Sequence, residues 1–442
     1  MKIQLSDHFT YKKLVRFTIP SIIMMIFTSI YGVVDGIFVS NFVGKTPFAA
    51  VNLIMPVCMI TGAFGFMIGT GGSALVSRLM GEGKKEKANS VFSMLTAVSA
   101  LIGITASVIG IAFMPQIAAA LGAEGEMLDN CVLYGRILLM GITAFVLQNE
   151  FQSFLVAAER PKLGLAATVG AGVTNIVLDA LFVAVFKWGL AGAAIATVTS
   201  QAVGAVIPLI FFLRSKDSIL RLGKFNFDGG AFVRACTNGS SEMMTNLSMS
   251  LVNMLYNAQL MKLAGENGIA AYGVIMYVAF IFAAIFIGYS IGSAPVISFN
   301  YGAANHDELK NMRRKSFVII GVCTLLMVTA SQLLAAPLSG IFVGYDAELM
   351  SLTERAFRLY SLSFILSGFN IFGSAFFTAL NNGLISAVIS FLRTLVFQIV
   401  AVLLLPLILG LDGIWLSVAV AELLSAVVTF IFLVKMRKKY NY

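Results

Sequence analysis

Charged residues are scarce in this chain: Asp, Glu, Lys and Arg make up 12% of its 442 residues, whereas hydrophobic residues make up 59%. A soluble domain of this length cannot cover so much apolar surface, so the composition excludes that class of protein. The four cysteines stand apart without metal-ligand spacing, and the two histidines form no metal motif. Neither a disulfide nor a cofactor is indicated.

The groupings on which other membrane proteins depend are also missing. No set of His, Asp and Glu, or of Ser and Lys, converges at one membrane face, so we predict that the chain is not an enzyme. No filter-like loop or ring of charges is present, which argues against a channel. The net charge of +9 indicates membrane topology and contact with anionic lipid head groups, and it does not indicate a nucleic-acid partner.

Long apolar runs are what the sequence does contain. A helix needs about 20 apolar residues to cross the hydrocarbon core, and twelve windows of that size predict an all-α integral membrane protein with twelve transmembrane helices. The first run is too long for a signal peptide and is predicted to be retained. The predicted spans are 17–40, 48–77, 90–114, 131–157, 163–186, 190–213, 235–261, 269–299, 317–336, 356–380, 384–409 and 413–434.

The chain also contains an internal repeat. Residues 44–81 align without a gap to residues 265–302, at an offset of 221, with eleven identities. Six spans per half make the two copies parallel, with a pseudo-two-fold axis along the membrane normal. We predict an N-terminal lobe (1–213), a cytoplasmic linker (214–234) and a C-terminal lobe (235–442). This organisation is typical of a transporter that moves one half against the other around a central site.

The basic residues predict the orientation. In the twelve-span arrangement, 23 of the 30 Lys and Arg fall on one side of the membrane. The positive-inside rule therefore predicts a multi-pass protein of the cell (inner) membrane with both termini in the cytoplasm. A monomer suffices for this arrangement.

Two aspartates lie inside predicted spans, where an ionised side chain costs at least about 2.5–3.5 kcal/mol. Asp35 lies in span 1 and Asp179 in span 5, and Asn175 lies one turn before Asp179 on the same helix face. Thr197 of span 6 is predicted at the same depth. Oxygen ligands at one level suit H⁺ or Na⁺. The alternative is that each aspartate reaches water near the head groups.

Other polar groups in the spans are less specific. Gln148, Glu150 and Gln152 cluster in span 4, and Glu422 and Arg393 lie in spans 12 and 11. Each can equally be an interhelical hydrogen-bonding or ion-pairing group. The residues that we predict to line a substrate cavity are Gln148, Glu242, Tyr31, Met55, Met276 and Asn370.

Four segments together resemble the multidrug and toxic compound extrusion (MATE) family. They are Tyr31-Gly-Val-Val-Asp35, Gly71-Gly-Ser-Ala-Leu-Val-Ser77, Asn175-Ile-Val-Leu-Asp179 and Pro295-Val-Ile-Ser-Phe-Asn-Tyr-Gly302-Ala. The likeness covers essentially the whole chain. It is greatest to the prokaryotic branches that have their cation site in the N-terminal lobe.

The resemblance implies a V-shaped pair of lobes that exports cationic, amphipathic compounds in exchange for H⁺ or Na⁺. The family's N-lobe ion site would correspond to Asp35, Asn175, Asp179, Thr197 and Gln152, where Gln152 departs from the family's asparagine. The first four would hold Na⁺ if sodium is the coupling ion. Other branches use acidic residues of spans 7 and 10. Here span 10 offers Asn370 and no carboxylate, and Glu242 comes about a turn too early, which favours N-lobe coupling.

The sequence leaves the choice between H⁺ and Na⁺ open. The alternative function is a flippase for lipid-linked precursors of the same superfamily. That function would require more than twelve spans or a markedly cationic central cavity.

Overall fold

The structure is a computed structural model that describes residues 3–43, 45–215, 218–344 and 346–442. The side chains of 31–33, 35–37, 39–41, 45 and 48 are outside the description. All regular structure in these ranges is helical. The α-helices are α1 (Tyr11–Phe42), α2 (Lys45–Gly81), α3 (Lys85–Ala120), α4 (Gly125–Met140), α5 (Ile142–Ala157), α6 (Pro161–Asp179), α7 (Gly189–Arg214), α8 (Gly229–Gly302), α9 (His306–Val343), α10 (Ala347–Tyr360), α11 (Phe364–Ala379), α12 (Gly383–Phe391), α13 (Phe397–Leu409) and α14 (Leu411–Tyr440).

Membrane-crossing helices account for most of the fold. Ten helices within the described ranges are long and apolar enough to cross a membrane, and α4 with α5 forms an eleventh candidate that bends by 53°. Large apolar side chains remain exposed along them, such as Leu407 at 80% and Ile341 at 77%. In a bilayer these side chains meet lipid, so their exposure is what the apolar windows predict.

Two predicted spans, 235–261 and 269–299, belong to the single long element α8. Its backbone leaves helical geometry at Gly265, where φ is 60° and ψ is −149°. Glycine adopts a positive φ without the steric penalty of a side chain, so the break falls at this residue.

The segment between the two halves is shorter than the predicted linker 214–234. α7 ends at Arg214, and α8 begins at Gly229, before the predicted start of span 7. Asp228 explains the early start, because its carboxylate accepts a hydrogen bond from the Ala231 backbone N–H at 2.9 Å and caps the helix.

Close backbone contacts join the two halves at the end of the molecule that carries both termini; we call this contact zone the seam. Its glycines lie so near the opposing chain that an added methyl group would overlap or press on it. The pairs are Gly71 with Gly239, Gly81 with Phe299, Gly302 with Arg78, and Gly292 with Thr18. Small residues at such crossings let helix backbones approach closely.

Candidate functional site

A pair of buried polar side chains lies near the end of α6. Asn175 and Asp179 are 1% and 0% exposed, and because they are four positions apart they share one face of the helix. The α-helix ends at Asp179 and continues as a π-helical turn over Ala180–Val185. Such π-turns are frequent at functional sites. The structure thus contains a buried carboxylate and amide on one face of a membrane-crossing helix.

α7 runs antiparallel to α6 and brings Thr197 to the level of Asp179. The register is set by the close approach of Gly192 to Phe182 and of Gly170 to Ile207. Counting residues between these contacts places Thr197 opposite Asp179 to within about one turn. The Thr197 hydroxyl donates to a carbonyl oxygen one turn earlier at 3.0 Å. The hydroxyl oxygen can therefore still act as an acceptor or a cation ligand.

Another residue of the predicted ion site, Asp35, has a side chain that lies outside the described part of the chain. Its backbone belongs to α1, which packs against α6, and the side chain of Tyr31 is likewise outside the description. Their roles in the ion site and the substrate cavity stay predictions. Among the side chains that are described, no three His, Cys, Asp or Glu residues come together as metal ligands.

The polar cluster of α5 turns its side chains toward different helices. Gln148 packs on Gly204 of α7. The Asn149 amide donates to the Gly62 carbonyl oxygen of α2 at 3.3 Å. Glu150 is fully buried and accepts a hydrogen bond from the Thr96 hydroxyl of α3 at 2.9 Å. Glu150 and Asn149 therefore connect α5 to neighbouring helices, which for Glu150 is the structural role that the sequence left open, and Gln148 faces α7.

The two glutamines of α5 lie at different depths. α5 and α7 run parallel, with Gly141 against Val198 and Gln148 against Gly204. In this register, the level of Gln152 lies about three helical turns, or about 16 Å along the helix axis, from the level of Thr197. Gln148 lies only about a turn from the level of Asn175. The side-chain oxygens of both glutamines have no hydrogen-bond partner among the described residues, but Gln148 is the closer of the two to the level of Asn175.

A cavity of about 280 Å³ lies in the second half of the chain, and we call it the central cavity. Four aromatic side chains are part of its wall. Two of them, Tyr256 and Tyr272, stack at 5.3 Å, and their hydroxyls donate to Gln398 at 3.1 Å and to Asn253 at 2.8 Å. The lining residues are Met25, Ser29, Glu242, Thr245, Met249, Val252, Asn253, Tyr256, Tyr272, Met276, Ala279, Phe280, Ala283, Ala284, Ile287, Tyr360, Ile371, Ser374, Ser390, Arg393, Thr394, Gln398, Val418 and Glu422.

Two carboxylates and one arginine are the charged groups that line the central cavity. Arg393 forms an ion pair with Glu422 at 2.8 Å. Asn370, which is fully buried, donates to the other oxygen of Glu422 at 2.6 Å. The same arginine lies near enough to Glu242 to interact electrostatically with its carboxylate. The lining thus contains two carboxylates and one arginine.

The predicted substrate residues separate into distinct places. Glu242 and Met276 line the central cavity. Asn370 does not line it, because its side chain is committed to Glu422 behind the wall. Met55 does not line it either, since it packs against the buried core of the first half. The ion pair between Arg393 and Glu422 was not predicted from the sequence, in which the two residues are only separate polar groups.

These features define a multi-pass helical membrane protein that has an internal cavity with a few charged groups in its wall and a buried carboxylate in a membrane-crossing helix. The MatE family model matches residues 20–181 and, a second time, residues 243–404. The chain belongs to the MatE family, which confirms the resemblance found in the sequence.

Named relatives and solved structures align over nearly the full chain. "Multidrug export protein MepA" of Staphylococcus aureus (strain NCTC 8325 / PS 47) is 23% identical over 435 residues, which cover 97% of this chain and 94% of the relative. "Crystal structure of MATE in complex with MaL6" superposes with a TM-score of 0.93 at 25% identity and covers 98% of both chains. "Outward-facing conformation of a multidrug resistance MATE family transporter of the MOP superfamily" superposes with a TM-score of 0.92 at 25% identity, over 98% of this chain and 97% of the other.

Proposed function

We propose that the protein is an antiporter that exports cationic or amphipathic small molecules in exchange for H⁺ or Na⁺. The observation that carries the proposal is the fully buried carboxylate of Asp179, one turn from Asn175 in a membrane-crossing helix. An ionisable group at that depth is costly unless it serves transport or an ion pair. The name of the relative MepA, a multidrug export protein, supports export of drug-like compounds.

The two-lobe arrangement is part of this proposal. Division of α8 at Gly265, with α4 and α5 as one bent span, yields twelve spans, six on either side of the linker. Backbone geometry supports a pseudo-two-fold relation between the halves. Residues with a positive φ occur in pairs that are 221 positions apart, as the repeat requires. The pairs are Gly83 with Ala304 and Gly189 with Gly410. The two repeated matches of the family model agree with this relation.

The seam supports the same axis. The contact of Gly81 with Phe299 becomes the contact of Gly302 with Arg78 when each residue is exchanged for its equivalent in the other copy of the repeat. A contact that maps onto itself in this way is what a two-fold axis between the lobes requires. With both termini in the cytoplasm, the seam closes the cytoplasmic end. The proposed cycle opens and closes this contact.

The central cavity supports a cationic substrate. Stacked tyrosines, methionines and the carboxylate of Glu242 suit an aromatic or aliphatic cation of variable shape. A flippase for lipid-linked precursors would require a cationic central cavity. The charges that line the central cavity do not favour that function, since Arg393 is paired with Glu422.

Ion and substrate sites in different halves imply indirect coupling. The Asp179 pocket belongs to the first half, and most of the central cavity lining belongs to the second. The ion therefore acts by favouring one conformation of the seam while the substrate favours the other. That difference in preference is sufficient for exchange, and the sites need not touch.

The test is gradient-driven ethidium efflux from cells or vesicles that carry Asp179→Asn. The amide keeps the size of the side chain but can neither bind a proton as a carboxylate does nor neutralise Na⁺, so we expect efflux at the level of vesicles without transporter. Asp129→Asn is the matched control, because Asp129 lies near the start of α4 away from the buried core, and it should transport normally. Imposing a sodium gradient or a pH gradient alone identifies the coupling ion. Wild-type efflux by Asp179→Asn at normal expression contradicts the proposal.

A further inference from the structure

A second cavity, of about 310 Å³, lies between the two halves at the end that carries the termini, and we call it the seam pocket. The first half contributes the end of α2 and the start of α3, and the second half contributes the start of α8 and the turn between α11 and α12. The lining residues are Leu75, Arg78, Leu79, Glu82, Lys84, Lys87, Ala231, Arg234, Thr237, Asn238, Asn381 and Gly383.

Positive charge dominates this pocket. Glu82 accepts from Arg78 at 2.9 Å and from Lys84 at 2.8 Å. The Lys84 hydrogen bond holds the pKa of Glu82 below its ordinary value, so the carboxylate is ionised and is shared by two cations. Lys87 is 3.9 Å from Asp228, and Arg234 forms no ion pair within the described ranges. Four cations thus face one lining carboxylate across a concave surface.

The pseudo-two-fold relation gives this pocket a counterpart on the other side of the seam. Adding the repeat offset of 221 to the residue numbers of the lining gives the equivalent positions in the other copy. Leu79 then corresponds to Asn300, and Lys87 corresponds to Glu308. At this counterpart the chain's own N-terminal segment fills the space, with Leu5 and Phe9 both fully buried.

Carboxylates and amides hold that N-terminal segment by its backbone. The Leu5 N–H donates to Glu159 at 2.8 Å, and Asn300 donates to the Leu5 carbonyl oxygen at 3.3 Å. The Phe9 N–H donates to Glu308 at 3.0 Å. Acidic side chains therefore suit the counterpart to an occupant that presents N–H donors.

In the seam pocket the acidic positions are replaced. Lys87 takes the place of Glu308, and Asn381 takes the place of Glu159 at an offset of 222; Asn381 and Glu159 even share a positive φ, of 56° and 59°. An occupant of this pocket must therefore present acceptors and negative charge instead of N–H donors.

The linker, which corresponds to the N-terminal segment, is held elsewhere. The Arg221 N–H donates to Asn89 at 2.7 Å and the Gly223 N–H donates to Ser93 at 3.0 Å, so this stretch runs along α3. The seam pocket remains a cavity for that reason.

A buried amide holds the two halves together beside this pocket. Asn238 is 3% exposed and lines the pocket. Its nitrogen donates to the carbonyl oxygens of Gly71 at 3.3 Å and Thr378 at 2.9 Å, which fixes the orientation of the amide. Its oxygen is closed off from the cavity, so the amide serves the contact between the halves and not a ligand.

We propose that the seam pocket binds a phosphate-bearing anion whose charge meets Arg78, Lys84, Lys87 and Arg234. The cations come from both halves and converge only while the seam is closed. The bound anion therefore stabilises the closed seam and slows opening at this end. The phosphate belongs either to a soluble molecule or to an anionic lipid head group.

The experiment uses the full-length protein in nanodiscs of zwitterionic phosphatidylcholine, with inorganic diphosphate as the soluble probe. Calorimetry should detect binding, with affinity lowered roughly tenfold for each cation lost in Lys87→Gln/Arg234→Gln. Lys310→Gln is the control, because it removes an exposed charge beside the filled counterpart, and it should bind as the wild type does. Arg234→Gln alone provides a milder variant, and unliganded melting temperatures verify that each variant is folded.

Hydrogen–deuterium exchange distinguishes a soluble phosphate ligand from a lipid head group. Slower exchange at 78–87 and 229–240 on adding diphosphate supports a soluble ligand, whereas slower exchange only in nanodiscs containing phosphatidylglycerol supports a lipid. Either effect must be lost in the double variant. The proposal is overturned if neither probe slows exchange, or if Lys310→Gln weakens the effect as much as the double variant. Neither readout depends on transport, so the outcome is independent of the efflux test.

Discussion

Replacing Gly239 of α8 by alanine should open the seam. The added methyl group would overlap the Met67 carbonyl oxygen and crowd the Gly71 nitrogen. These are backbone atoms of α2, so no side-chain rotation relieves the clash and the helices must separate. The conformation in which they have already separated is unaffected, and the variant therefore shifts the population toward it.

The size of the shift follows from the clash. Overpacking of a well-packed contact costs typically about 1–3 kcal/mol. Alanine also improves helix propensity by about 1 kcal/mol, but α8 is helical at this position whether the seam is open or closed, so that gain cancels. A difference of about 1–3 kcal/mol between two states changes their ratio by roughly 5- to 150-fold. Such a change converts a minor open population into a substantial one.

Distances between spin labels measure this population directly. Labels at Glu86→Cys and Lys310→Cys, exposed residues of the two halves at the seam end, should report a longer distance in Gly239→Ala, once the native cysteines are replaced. Gly273→Ala is the control in the same helix, since nothing lies within 4 Å of its added methyl group. Identical distance distributions for the two variants would refute the reasoning.

Two further predictions concern contacts that the sequence did not reveal. Arg393→Gln leaves the carboxylate of Glu422, which is 3% exposed, without its counter-charge. We expect a loss of about 3–5 kcal/mol in stability in detergent, most of it recovered in Arg393→Gln/Glu422→Gln; no recovery would mean that the pair is not coupled. Glu308→Gln weakens charge-assisted hydrogen bonds worth about 1.5–3 kcal/mol each, so deuterium exchange at Phe9 should accelerate, while the exposed neighbour Asp307→Asn should leave it unchanged.

Much of the fold could be predicted because a membrane span appears in the sequence as a local run of apolar residues. The window 90–114 lies inside α3, and 190–213 lies inside α7. The bend within the window 131–157 has no such signal. It occurs at Gly141, where an added methyl group would meet Val198 of α7 at 2.6 Å. The break thus depends on a neighbour that is distant in sequence.

The candidate site was predictable only in part for the same reason. Helical spacing alone put Asn175 and Asp179 on one face. The choice between Gln148 and Gln152 required the register of α5 against α7, which Gly204 determines by making room for Gln148. No periodicity in α5 carries that information.

The two halves show how a repeat separates structural constraint from function. Gly81 and Gly302 are equivalent positions that are identical in both copies. At each of them the backbone of one copy packs directly against the backbone of the other, so both copies need glycine there. Lys87 and Glu308 occupy equivalent places beside the seam and carry opposite charge. One copy there binds the chain's own backbone and the other faces a polar cavity. Packing constrains both copies alike, whereas the residues beside the contact are free to diverge, and a charge reversal between equivalent positions is therefore where a difference in ligand is to be sought.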